Sequence, residues 1–442
     1  MGLGFGCPNR VTALSDGNQI MQTIAVIGAG ITGVTTARAL HARGFDVTVY
    51  DRNRYAAMET SFANGGQLSA SNAEVWNSWG TILKGLKWML KKDAPLLVNP
   101  WPSWHKYSWM AEFIANIPHY ERNTIDTVRL ALKARELLIQ HSERYGFDFA
   151  VENRGILHVY STQKDFDHAA EVNKLYAKGG LERRAVTPGE MREIEPTLRG
   201  ELIGGYFTES DFTGDIHRYT TGLAKAITTE GVVFNYGMTI DEVRHTDAGV
   251  EILHGDEVET FDGVVVCAGV HSRSFAEQLG DRVNIYPVKG YSVTVNLHDE
   301  ESRASAPWVS LLDDRAKVVS SRLGEDRFRI AGTAEFNGYN RDIRHNRIDP
   351  LSKWCETYFP GVSTEDVTPW AGLRPMMPSM LPRVGAGKKA GVFYNTGHGH
   401  LGWTLCAATA EIVGDSVLAS APKRVTPVKR SGIALPDGMA AG

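Results

Sequence analysis

The chain has 442 residues, 43% of them apolar and 22% charged, with 47 Lys and Arg against 51 Asp and Glu. That length makes two large lobes or about three average domains, and the composition is that of a folded globular chain, not a disordered one. A net charge of −4 offers no basic surface for bulk binding of nucleic acid.

Glycine is in excess, 45 of 442, which points to loops that need unusual backbone angles or close approach to a ligand. Cys7, Cys267, Cys355 and Cys406 are too scattered for a structural metal site or a disulfide framework, so no metal is expected and a reducing, cytoplasmic setting fits. No apolar run approaches ~18 residues, so no membrane span is expected. Residues 1–20 lack the basic and apolar regions of a secretory signal and read as a disordered extension ahead of Met21.

The first element is a β-branched run, Ile24 to Ile27, the mark of a buried parallel strand. Gly28-Ala29-Gly30-Ile31-Thr32-Gly33 follows, then a helix over Val34 to Arg43 and a second strand, Phe45 to Tyr50, with Asp51 at its end. Gly28 permits the tight turn, Gly30 lets a pyrophosphate approach the backbone, and Gly33 lets helix and strand close up. The helix N-terminus offers free N–H groups to the phosphates, and Asp51 can accept from a ribose diol. This is a dinucleotide site, open so far to NAD or FAD.

Glu59 to Gln67 is a loop rich in Gly, Ser and Asn, able to line a phosphate chain or a flavin ring. Trp79 to Lys92 then has Trp79, Ile82, Leu83, Leu86 and Leu90 at helical spacing, with Lys84, Lys87, Lys91 and Lys92 between them and Trp101, Trp104 and Trp109 beyond. A basic amphipathic helix with interfacial tryptophans suits the surface of an anionic membrane; it equally suits an apolar side packed on the protein with solvated lysines. Helices are expected over Thr124 to Tyr145, Asp165 to Lys178 and Pro188 to Ile194, and a strand over Ile156 to Ser161.

Further on, Gly231 to Phe234 and Met238 to Val243 read as short strands, Val250 to Leu253 and Val258 to Phe261 as a hairpin, and Val264 to Gly269 as a buried strand ending in a small-residue turn. Strands follow over Ser292 to Leu297 and Phe328 to Gly332. Near the end, Val392 to Asn395 leads into Thr396-Gly-His-Gly-His-Leu-Gly-Trp-Thr404 and a helix from Leu405 to Leu418. A glycine-rich loop feeding a late helix can aim its dipole at a flavin. A nicotinamide enzyme has no need of that return, so FAD is favoured.

Taken together, Thr60 to Ser69, Thr213-Gly-Asp215, Tyr286 to Thr294, Ala334 to Gly338, Trp370-Ala-Gly-Leu-Arg-Pro375 and Asn395 to Thr404 resemble the D-amino-acid dehydrogenase small-subunit family, within the D-amino-acid oxidase and glycine oxidase superfamily. The resemblance covers Met21 to about Ala421. It implies an α/β fold in which a doubly wound, Rossmann-type FAD domain (21–75, 213–275 and 383–425) is interleaved with an α+β substrate domain on a mixed sheet (76–212 and 276–382), ahead of a tail, 426–442. It also implies non-covalent FAD and oxidative deamination of a free D-amino acid or a cyclic imino acid such as hydroxy-D-proline. Hydride would pass from Cα to flavin N5, and electrons would go on to a quinone or other respiratory acceptor. Two departures, Phe62 and the stretch Phe207 to Thr213, are expected to reshape the pocket.

The residues expected to bind FAD are Gly28, Gly30, Ile31, Thr32, Gly33, Asp51, Arg52, Ser61, Asn64, Gly65, Gly66, Gln67, Met238, Ala268, Gly269, Gly397, Gly399, Leu401, Gly402, Trp403 and Thr404. Arg374 is the substrate candidate, since a planar guanidinium pairs bidentately with a carboxylate and fixes its tilt. Tyr291 is a further catalytic and substrate-binding candidate or else a core aromatic of its strand, Lys289 a substrate contact or a solvated edge lysine, and His398 or His400 could touch the flavin or a substrate proton, His398 being the catalytic candidate, or be held by backbone contacts. The competing readings are an oxygen-using oxidase of the glycine or sarcosine type, and a non-catalytic FAD- or NAD-binding protein. The localisation expected is cytoplasmic, or peripheral on the inner face of the cytoplasmic membrane.

Overall fold

The computed structural model describes residues 22–88 and 95–421. The expected extension 1–20, the tail 426–442 and the end of the basic helix beyond Trp88 lie outside these residues.

A six-stranded sheet runs in the order Arg383–Ala386, Val392–Thr396, Gly263–Val266, Thr23–Ile27, Asp46–Asp51, Val233–Tyr236. All neighbours are parallel except Arg383–Ala386, which is antiparallel to Val392–Thr396. The β-branched runs found in the sequence are its middle: Val26, Val264, Val265 and Val266 are fully buried. The chain leaves Thr23–Ile27 for Asp46–Asp51 on one side and returns to Gly263–Val266 on the other. The carboxyl end of Thr23–Ile27 is therefore a topological switch point, where α/β sheets open a ligand crevice. Helices Ile31–His41, Ile216–Thr229 and Gly402–Ser420 share one apolar cluster with the sheet.

The expected strand over Met238 to Val243 starts later, at Glu242. The Met238 N–H donates to the Asp51 carbonyl at 3.0 Å, and the Gly237 N–H to that of Asn53 at 2.8 Å. Met238 is therefore docked on the end of the second strand. The three-stranded meander Glu242–Thr246, Gly249–His254, Glu257–Phe261 contains the expected hairpin.

The second sheet is mixed and nine-stranded. Its long strand Tyr286–Asn296 is antiparallel to Val367–Met376 on one side and Arg327–Phe336 on the other. Tyr291, Val293 and Val295 share a cluster with Ile348, Leu351 and Trp354 of helix His345–Tyr358. Successive strand residues face opposite ways, so Val288, Gly290 and Ser292 face the first sheet's side. There the Ser292 hydroxyl donates to the Ala63 carbonyl at 3.0 Å. A bulge between Lys289 and Tyr291 breaks the register with Arg327–Phe336; Thr333, in that stretch, has φ +58°, a costly angle for a β-branched residue.

Candidate active site

A cavity of about 910 Å³ lies between the two sheets. Every residue expected to bind FAD lines it except Gly33. A Cβ at Gly33 would stand 1.8 Å from the Gly28 carbonyl oxygen, so this glycine acts by letting helix Ile31–His41 close on the strand. Gly28 has φ +106°, and a Cβ there would meet the Cys267 carbonyl at 2.7 Å.

At the switch point the first helix begins without a side-chain cap on Gly30. The Ile31 N–H donates to the Ser61 hydroxyl oxygen at 3.0 Å. Asp51 accepts from the Ala29 N–H at 2.7 Å and from the Asn53 N–H at 2.8 Å, which fixes the carboxylate at the strand end. Arg52 is turned onto Glu59 at 2.6 Å, and Glu59 also binds Arg341 at 2.7 Å. Burial raises the Glu59 pKa, but the Arg341 and Arg52 guanidiniums outweigh it and hold the carboxyl below its usual range.

The loop after Ser61 is shaped from within. Asn64 Oδ1 accepts the Gly66 N–H at 2.9 Å, Gly66 has φ +74°, and a Cβ at Gly65 would meet Val319 at 2.5 Å. Gln67 donates to the Leu311 and Ser320 carbonyls at 2.8 and 3.2 Å, leaving its Oε1 buried without a partner at the cavity wall. Phe62 does not line the cavity; it is 40% exposed and packs edge-on against His217. Residues 207–213 do not line it either. The two sequence departures therefore do not shape this pocket by direct contact.

The late loop contributes Gly397 and Gly399, at φ +78° and +60°, and opens helix Gly402–Ser420, whose N-terminus also has no side-chain cap. Two uncapped helix N-termini thus open on one cavity, each a place of free N–H groups and positive dipole. Trp403 is turned mainly into the core, 4.9 Å from the Tyr219 ring. His398 lines the cavity too, but its ring is already engaged. Its Nε2 shares a 2.9 Å hydrogen bond with the Thr409 hydroxyl, it is 3% exposed, and burial pushes its pKa down to about 3. This ring locks the loop to the late helix and stays neutral.

Arg374, on Val367–Met376 opposite Val288, lies on the cavity face of its sheet. Its guanidinium covers Gly290: a Cβ there would come within 2.3 Å of Cζ. Nη1 donates to the Thr333 carbonyl at 2.8 Å, and among the described residues no carboxylate lies within ion-pair distance. Burial lowers its pKa to about 10. Lys289 and Tyr291 sit one residue to either side of Gly290 and point to the other face. The Tyr291 hydroxyl donates to Glu335 at 2.8 Å, and the Lys289 ammonium donates to Asn340 Oδ1 at 2.7 Å and the Asp342 carbonyl at 3.0 Å, 3.6 Å from Glu335. Lys289 does not line the cavity. Tyr291 is nonetheless among the cavity-lining residues, with its hydroxyl committed to Glu335, whereas Lys289 is held in the network behind the sheet. Trp76, Lys317, Thr333 and His400 line the cavity as well; no spacing in the sequence marks the first three.

The cavity fits FAD on its own features: a crevice at the switch point, two helix N-termini without N-cap side chains, an acid at the second strand end and an orphaned acceptor on Gln67. The comparisons agree. The chain is 58% identical over 405 residues to D-amino acid dehydrogenase 3 of Mesorhizobium japonicum, covering 91% of this chain and 98% of that one. It is 40% identical over 403 residues to the D-amino acid dehydrogenase of Paramagnetospirillum magneticum, covering 89% and 94%. Among solved structures, glycine oxidase from Geobacillus kaustophilus superposes with a TM-score of 0.72 at 19% identity over 91% of this chain and 96% of that one. L-proline dehydrogenase from P. horikoshii gives 0.71 at 17% over 91% and 95%; these two speak for the fold alone. Residues 23–416 match the family described as DAO, FAD dependent oxidoreductase, and the chain is a member of that family, an FAD-dependent enzyme on its α/β, mixed-sheet fold.

Proposed function

We propose that the enzyme oxidises a free D-amino acid, or a cyclic imino acid of the D-proline or hydroxy-D-proline type, to the imino acid or, after hydrolysis, the 2-oxo acid. The observation that carries this reading is the Arg374 guanidinium. It faces the cavity, rests on a glycine that leaves it room, and has no carboxylate of its own among the described residues. A cation so placed calls for an anionic ligand, and a planar fork suits a carboxylate best. The names of the relatives supply the D configuration and the amino-acid class.

Gly28, Gly30, Ile31 and Thr32 would hold the pyrophosphate of FAD, Asp51 its ribose, and Met238, Ala268 and Gly269 its adenine side. The 61–67 loop and the 397–404 turn would hold the flavin. When bound, FAD supplies the two-electron acceptor for the Cα–H bond. Arg374 positions the α-carboxylate, and Thr333 positions Arg374 through its carbonyl.

The electrons would pass to a quinone drawn from a membrane surface. Residues 79–85 and 95–114 expose Trp79, Leu83, Trp101, Trp104 and Tyr107 while lining the cavity with Ile82, Leu96, Val98, Met110 and Ile114. This supports an apolar route from a lipid surface to the cofactor. Trp109 is no part of that surface: it is 3% exposed and donates its indole N–H to the Met376 carbonyl. No helix among the described residues is long and apolar enough to cross a membrane, so the contact would be peripheral.

The test is anaerobic mixing of the yellow holoenzyme with D- and L-amino acids, D-proline and hydroxy-D-prolines, followed by re-oxidation with oxygen or a soluble quinone. Bleaching by D substrates and faster re-oxidation by quinone are expected. Bleaching by none of them overturns the reading, and fast re-oxidation by oxygen replaces the dehydrogenase with an oxidase. Flotation with anionic liposomes checks the surface, with binding expected to fall on Lys84→Glu/Lys87→Glu.

A further inference from the structure

The late loop carries two histidines, both lining the cavity. His398 has its Nε2 taken by Thr409. His400 lies flat on Trp76, ring centroids 4.6 Å apart and planes 18° apart, and lines the cavity. Its ring nitrogens make no hydrogen bond of ordinary geometry, with the Asn72 backbone close by. Burial, then the charges of Arg374 and Lys317, push its pKa down to about 3. The ring is therefore a neutral imidazole, with one nitrogen that donates and one that accepts.

The charged groups around this ring can be named. Arg374 reaches the cavity from Val367–Met376. Lys317 comes from the turn after Ser310–Asp313, paired at 3.3 Å with Asp314, which also accepts from Tyr160 at 3.1 Å. Glu74, two residues from Trp76, is taken by Tyr120 at 2.7 Å and His168 at 3.2 Å. Both carboxylates named here, Glu74 and Asp314, already have partners among the described residues, so neither is left to hold an ammonium ion. Two cations and a neutral acceptor favour a neutral amine instead.

We propose that His400 is the residue that receives the substrate's amino group, accepting a hydrogen bond from the neutral amine while Arg374 holds the carboxylate of the same molecule. The assignment rests on the amino-acid reading above. Carboxylate and amine share one carbon, so their two partners must lie close together. His400 stands in the field of Arg374 on the wall of the same cavity, and no side chain takes up its ring nitrogens. Gripped at both ends, the substrate keeps one face of Cα toward the cofactor, and the amine lone pair is free to form the C=N bond as Cα–H breaks.

The experiment compares wild type, His400→Phe, which keeps a ring on Trp76, and His400→Gln, which keeps an acceptor. Flavin reduction by D-alanine and D-proline is followed anaerobically from pH 6 to 10. Binding of benzoate, a carboxylate with no amine, is read from the flavin absorbance. His400→Phe is expected to slow reduction roughly 10- to 100-fold, the scale of a buried amine left without its partner. Its benzoate affinity should stay within about threefold, and His400→Gln should recover most of the rate. Wild-type reduction should rise with pH as the amine deprotonates. Unchanged reduction in His400→Phe overturns the proposal, as does a loss of benzoate binding equal to the loss of rate. If the Phe chain does not hold FAD, His400→Leu takes its place and the same outcomes decide. A wild type that no D-amino or imino acid bleaches removes the underlying reading, and the His400 role with it; a bleachable wild type with an indifferent His400 removes only the latter.

Discussion

Replacing Arg374 by Met separates what this side chain does for the ligand from what it does for the fold. The guanidinium has one protein hydrogen bond, to the Thr333 carbonyl at 2.8 Å, and no carboxylate within ion-pair distance among the described residues. Removing one member of an enclosed charge pair costs ~2–5 kcal/mol. At ~1.4 kcal/mol per decade, kcat/KM should fall roughly 30- to 5,000-fold. Stability should move the other way. Burial holds the Arg374 pKa at about 10, below the ordinary arginine value. Its charged form is therefore worse off in the folded than in the unfolded protein, and this costs stability at every pH below about 10. Arg374→Met relieves that cost, by no more than ~3 kcal/mol, so the melting temperature should hold or rise. Arg374→Lys should fall between, since an ammonium keeps charge without the fork. Steady-state kinetics with thermal melts of the holoenzyme make the comparison. A kcat/KM within threefold of wild type, or a variant that loses activity only because it no longer folds, refutes the reasoning.

Gly290→Ala should raise KM with FAD retained, because the added methyl enters the space of the Arg374 guanidinium while the backbone stays in an ordinary region; overpacking of this kind costs ~1–3 kcal/mol. Glu59→Gln should speed FAD release roughly two- to fivefold by loosening the Arg52–Glu59–Arg341 clasp, half-exposed pairs being worth ~0.2–1 kcal/mol; flavin fluorescence after dilution reads it, and wild-type release would dismiss the clasp. His141 and His398 are buried with pKa values pushed down to about 3. A histidine lowered in the folded state stabilises fully above its unfolded value near 6.5 and loses that stability as pH falls toward 3. Denaturation at pH 7 and pH 5 should therefore differ by roughly 2 kcal/mol for each such ring, and His398→Gln should remove one share; an unchanged slope would contradict the assignment.

The nucleotide half of this cavity was legible because it is local. Ile24 to Asp51 holds strand, turn, helix and acid in one stretch, and each glycine has a backbone task that its spacing reveals. Cys267-Ala268-Gly269 and the late glycine loop were readable for the same reason. The substrate half depends on long-range register. Lys289, Gly290 and Tyr291 are adjacent in sequence, and only pairing with Val367–Met376 shows that Gly290 shares a face with Arg374 while its neighbours turn to Glu335. His398 and His400 look alike in sequence; a helix residue eleven positions on, Thr409, decides between them. The basic helix read from Trp79 begins as expected, but which of its sides is buried depends on Leu96, just beyond it, and on Asp165, far along the chain.

The most direct measurement is a crystal structure of the FAD-loaded enzyme with a D-amino acid or a carboxylate analogue bound. Both carboxylate oxygens are expected within hydrogen-bond distance of the Arg374 guanidinium, with Cα over the isoalloxazine ring. A ligand anchored elsewhere in the cavity, with Arg374 still turned only to Thr333, would contradict it.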